Sequence, residues 1–165
     1  MQVAPIPLWR RCVMAIVAVT MAGFVLHGWI AMGLVSRGDD LLRGGQQDRA
    51  LTFYARAVWF DSGWEVPADR FAFAASLTGR RDILQQGIVL TSAHLARHPD
   101  SYNVRWDRAL CFLHLHRPVD ALADVARLAR TRRRDWRMND MAFHLALSLG
   151  RVSEAREFAQ FARPT

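Results

Sequence analysis

Six histidines, two cysteines and fifteen carboxylates are the side chains of this 165-residue chain best suited to chemistry, and their spacing argues against most of it. His94 and His98 are four residues apart and would share a helix face, whereas His114 and His116 would diverge by about 200° on a helix. No cysteine or carboxylate pair stands at ligand spacing beside His94 and His98. His98 also falls near an expected helix C-terminus, where positive charge is favoured. Cys12 and Cys111 cannot make a disulfide framework. Cys111, within Ala109-Leu110-Cys111-Phe112-Leu113, is expected to be a small buried hydrophobe. There is no glycine-rich phosphate loop, nucleophile elbow or HExxH pattern. The carboxylates are scattered among arginines at surface spacings and read as a solvated face. Neither a metal site nor catalysis is expected.

The basic residues point to surfaces. All 22 are arginine. The absence of lysine reads as the codon bias of a G+C-rich bacterial genome, since nucleic-acid binders usually mix lysine with arginine and interleave exposed aromatics. No nucleic-acid partner is expected. Arg127, Arg130, Arg132, Arg133, Arg134 and Arg137 are opposed within their segment only by Asp135. This basic patch is a solvated loop or a dock for an acidic protein surface or anionic lipid.

Something must position these residues, and the first part of the chain is an anchor. Cys12 to Val35 holds 24 residues with no aspartate, glutamate or arginine. At ~1.5 Å per residue it would span roughly 36 Å, enough to cross a bilayer with some tilt. Arg10 and Arg11 precede it as in a signal peptide, but the run is long for one and no Ala-x-Ala-like site closes it. The chain therefore divides into a basic tail (1–11), a transmembrane helix (12–35) and a folded domain (36–165). The arginine pair favours a cytoplasmic N-terminus in a bacterial inner membrane, with the domain in the periplasm. Ala18 and Ala22, with Gly23, offer close approach to a neighbouring helix. His27 is an ionisable residue within the span. The Gly23–His27 pair resembles the way antenna polypeptides of photosynthetic bacteria ligate chlorophyll through histidine. That resemblance implies a pigment or haem at His27 as the alternative to an anchor without cofactor.

Beyond the anchor, small residues return at Ala50, Gly87, Ala121 and Ala155, at intervals of 37, 34 and 34 residues. Ala50, Leu51, Tyr54, Ala57 and Val58 form one helical stripe, and Leu122, Val125, Ala126 and Ala129 form another. Pro118 suits a helix first turn, and Pro164 would end the last helix. No stretch alternates long enough to be a strand, so the chain is read as all-α.

From Gly38 onward the sequence resembles the tetratricopeptide repeat (TPR) family, whose 34-residue unit is a pair of antiparallel helices. The segment Gly45-Gln-Gln-Asp-Arg-Ala-Leu-Thr-Phe-Tyr-Ala-Arg-Ala-Val carries the resemblance best. Ala109, Ala121, Gly150, Ala155, Ala159 and Ala162 fit further units, and Ala75, Gly87 and Pro99 a degenerate one. The first unit would begin near Ala31 with no linker, so the anchor should run straight into the repeats. The resemblance implies a groove lined by Asn103, Trp106, His114, Arg137, Asp140 and His144, with Trp106 and Arg137 as an anchor pair. It implies a scaffold or accessory subunit that binds other subunits of a membrane complex. The lesser alternatives are a cofactor-carrying subunit and an assembly or secretion factor that holds client peptides. No solvating helix follows the fourth unit, so Phe158, Phe161 and Ala162 are expected to stay open for a partner.

Overall fold

Where only alanine and glycine recur, helix backbones can cross closely, and the fold is built on those crossings. The structure is a computed structural model that describes residues 7–60 and 63–162. Residues 1–6 of the basic tail, and Pro164, lie outside the described residues. Eight helices follow in order: α1 (Leu8–Arg43), α2 (Gln47–Phe60), α3 (Glu65–Thr78), α4 (Arg81–Arg97), α5 (Tyr102–His114), α6 (Pro118–Thr131), α7 (Trp136–Ser148) and α8 (Val152–Ala159). No strand occurs among the described residues. Each consecutive pair forms a hairpin and stacks on the next, and α3 also packs directly on α5.

α1 runs without a break for 36 residues. Its last turns are the first helix of the first pair: Ala31, Val35, Gly38 and Leu41 are buried, a stripe at three- and four-residue steps. Gly38 permits the closest approach, because a Cβ there would stand 2.5 Å from the Tyr54 ring. Before Ala31 the apolar side chains project outward on all sides, Phe24 with 80% and Trp29 with 72% of its surface exposed.

Ala50, Ala121 and Ala155 are buried, and a Cβ on Gly87 would meet Cys111 Sγ at 3.3 Å and Ala75 Cβ at 3.5 Å. The second unit differs for a simple reason. α4 has 17 residues where α2 and α6 have 14. Ala50, Gly87 and Ala121 each lie ten residues before their helix ends, so the extra turn sits at the start of α4. The left-handed turn residues Gly45, Gly79, His116 and Gly150 consequently follow intervals of 34, 37 and 34. The degenerate appearance of the second unit is this shift of one helical turn.

The open end expected at Phe158 is not there. Phe158 is buried beneath α6 with the Arg130 guanidinium 5.4 Å from its ring centre, and Phe161 remains 37% exposed. The long arginine side chain lies over the Phe158 ring and shields it from water.

Candidate functional site

The first turns of α5 and α7 lie side by side and leave a depression of about 600 Å³ between them. It is lined by Tyr102, Trp106, Asp135, Trp136, Arg137, Met138, Asp140 and Met141. The structure thus brings together Trp106, Arg137 and Asp140 from the six expected groove residues. Asn103, His114 and His144 are exposed and do not line this depression. His144 instead places Nε2 3.5 Å from Asp140 Oδ1, one turn along α7. Tyr102, Trp136 and the two methionines were not anticipated. A signal for them exists in the sequence, since Tyr102 and Trp136 are each the first residue of a helix and stand one 34-residue period apart.

The floor of the depression is tied down. Asp135 caps α7 by accepting the Arg137 backbone N–H at 3.2 Å, and the Tyr102 hydroxyl donates to its other oxygen at 3.2 Å. The Arg132 guanidinium lies 3.8 Å above the Tyr102 ring. Burial, then the Asp135 charge, raises the Tyr102 phenol above its ordinary range. With aromatic and thioether walls beside one guanidinium and two carboxylates, the depression suits an apolar side chain flanked by charge. No histidine, cysteine or serine lines it.

The neighbouring arginines are distributed rather than pooled. Arg130 makes a two-pronged bond to Glu157 at 3.0 Å each, Arg127 stands 3.7 Å from Asp100, and Arg133 lies 6.0 Å from the Phe161 ring centre. Arg134 alone among them points outward without a partner among the described residues. Arg127 and Arg130 belong to α6, so only the later arginines form the turn into α7.

Not all carboxylates form a solvated face, which corrects the reading from spacing. Asp124 is 3% exposed and accepts from Arg105 at 3.1 Å and from Arg108 at 2.6 and 2.8 Å. Arg105 also donates to the Pro99 carbonyl, and Arg108 to Ser92 Oγ at 3.0 Å, so this cluster links the second and third units. On the other side of α5, Asp107 is 5% exposed and hydrogen-bonded to Asp69 of α3. Burial foremost, then the charge of Asp69, pushes Asp107 up to about 8, and burial raises Asp69 as well. Arg70 is the nearby cation, and its Nε stands 3.6 Å from Asp39, which accepts the Tyr54 hydroxyl at 2.7 Å. Cys111 is buried as expected, and burial raises its thiol to about 12, so it is an inert packing residue.

On the free part of α1, Ala18, Ala22 and His27 are exposed and Gly23 is half-buried. A Cβ on Gly23 would meet nothing within 4 Å, which leaves that face open to a neighbouring helix. His27 Nδ1 donates to the Gly23 carbonyl at 2.8 Å. Its ring is 6.2 Å from that of Phe60, at the end of α2.

No protein-family model matches the chain, and no curated protein matches it. Among solved structures it is similar to the NMR structure of the first TPR domain of the human RPAP3 protein, with a TM-score of 0.65 and 15% sequence identity. The match covers 78% of this chain and 98% of that one. A likeness at this identity speaks for the fold: the described chain is a TPR-like helical repeat array carrying one long apolar N-terminal helix.

Proposed function

We propose that the chain is a non-catalytic, membrane-anchored scaffold that holds other subunits of a bacterial membrane complex, using the depression between α5 and α7 as a dock. The observation that carries this reading is the unbroken α1, which is both the apolar helix and the first repeat helix, joined with no flexible spacer. Such a mount fixes the array's orientation, which a subunit of a larger assembly needs and a loosely tethered binder does not. Trp106 is the aromatic anchor and Arg137 the charge beside it. The partner segment pairs an apolar residue with an acidic one, and the domain's net positive charge adds attraction within about 8–10 Å at physiological salt.

The test purifies the full-length protein from its own membranes in mild detergent, with Trp106→Ala prepared alongside. The expected result is that co-purifying subunits dissociate faster from the variant, by about 2 kcal/mol in affinity for a true hot spot, at an unchanged melting temperature. A destabilised variant that keeps normal affinity in its folded fraction would mean that Trp106 merely packs between units.

A further inference from the structure

α2 is antiparallel to the last turns of α1 and leads the chain back toward the exposed apolar helix. The end of α2 and Trp64, just before α3, arrive at the level of residues 24–32. There Phe60 meets His27, Trp59 stacks edge-on against Phe60 with ring centres 4.9 Å apart, and Trp64 closes a recess of about 350 Å³ with Phe24, Val25, Gly28, Trp29 and Met32. Trp59 is 79% and Trp29 72% exposed, an unusual cost for neighbouring rings bathed in water.

The opposite end of the exposed helix carries the same chemistry. Trp9 is exposed, and the Arg10 guanidinium lies 5.2 Å from its ring centre. Trp9 and Trp29 are 20 residues apart, roughly 30 Å along a helix, which is the thickness of a hydrocarbon core. Tryptophan and tyrosine collect at the two faces of a bilayer, where an apolar ring with a polar edge is best solvated. Burial within the repeats begins at Ala31, immediately beyond the second tryptophan.

Resting on the membrane-anchored reading above, we propose that the end of α2 and the residue leading into α3 form a second membrane contact: Trp59, Phe60 and Trp64 sit with Trp29 among the phospholipid headgroups and upper acyl chains, and the bilayer edge lies near Gly28 rather than Val35. The occupant of the recess is lipid, because the recess is continuous with the apolar surface of α1. Arg56, exposed one turn before Phe60, is placed to meet lipid phosphates. His27 then lies at the interface, where its polar ring is hydrated. The array is held at two points, which fixes its rotation about the α1 axis as well as its height.

Single cysteines at Val17, Trp59 and Gln46, in the full-length protein with Cys12→Ser, carry a nitroxide label in phosphatidylcholine–phosphatidylglycerol vesicles. All three positions are exposed, so the labels are tolerated, and the buried Cys111 stays unlabelled. Accessibility to oxygen and to a water-soluble nickel chelate reports depth. The expected result is Val17 in the acyl region, Gln46 in water, and Trp59 at headgroup depth with most of its nickel accessibility lost relative to Gln46. A label at Trp59 as open to nickel as Gln46, with Val17 deep, overturns this inference and leaves the anchor standing. A water-accessible label at Val17 overturns the anchor reading itself.

Discussion

Two aspartates on facing sides of the third unit are almost equally buried and live under opposite electrostatics. Asp124 on α6 is held by two guanidiniums that reach it from α5. Asp107 on α5 faces a second carboxyl, Asp69 on α3, with Arg70 as the nearest compensation. The first site meets the cost of desolvation with opposite charge and hydrogen bonds. The second meets it by keeping a proton, so that the Asp107 hydroxyl donates to the Asp69 carboxylate. Burial alone therefore says nothing about whether a carboxylate is charged; the partner decides.

Asp124 carries the larger expected effect. Asp124→Ala leaves Arg105, itself 7% exposed, and Arg108 without a counter-charge, and burial already depresses the Arg105 guanidinium. The expected loss is about 3–5 kcal/mol, the usual result of removing one partner from a buried ion pair. It would be read from thermal unfolding of the full-length protein in detergent. A loss under about 1 kcal/mol would mean that water reaches the two arginines and that this site is no different from a surface pair.

The two sites also differ in how visible they are in sequence. Helix periodicity locates faces that carry apolar residues, so the Ala50, Tyr54 and Ala57 stripe and the Ala121-to-Ala129 stripe can be read directly. Asp107 and Asp124 interrupt such stripes, and a polar residue at a stripe edge looks the same whether it is solvated or paired. Only the α3–α5 and α5–α6 contacts, which sequence spacing does not encode, distinguish them. Trp106, Arg137 and Asp140 were legible because their units keep the 34-residue register. Asp69 was not, because the added turn of α4 displaces α3 by nearly one helical turn against the register drawn from Ala75. The rings that meet α1 near Gly28 were equally hidden, since their proximity follows from α2 folding back along α1.

The proton shared by Asp107 and Asp69 makes stability depend on pH. The folded protein holds the Asp107 proton up to about 8, whereas the unfolded chain releases it near 3.8. Between those values the native state binds more protons, so its stability is complete below the lower value and falls as pH rises through the upper one. Asp107→Asn keeps an N–H donor for Asp69 and removes the titrating group. Its stability relative to the wild type should rise between pH 5 and pH 9 by at least about 1.4 kcal/mol, the worth of one pKa unit. Urea unfolding at the two pH values measures the difference, and a wild type equally stable at both would dismiss the shared proton.

The smallest effect belongs to Asp39, which completes the row of carboxylates around Arg70. It is partly exposed, its contact with Arg70 is a long 3.6 Å, and its bond from the Tyr54 hydroxyl needs an acceptor oxygen rather than a charge. Asp39→Asn supplies that oxygen and should cost less than about 1 kcal/mol, the range of exposed ion pairs. Burial, followed by the bond to Asp39, holds the Tyr54 phenol far above its ordinary range, so the substitution should let that phenol ionise at lower pH, visible by ultraviolet titration. The fall in stability toward pH 9 should remain in Asp39→Asn, because the proton concerned lies between Asp69 and Asp107. Loss of that slope would move the titrating group to Asp39 and erase the contrast between the paired aspartate and the protonated one.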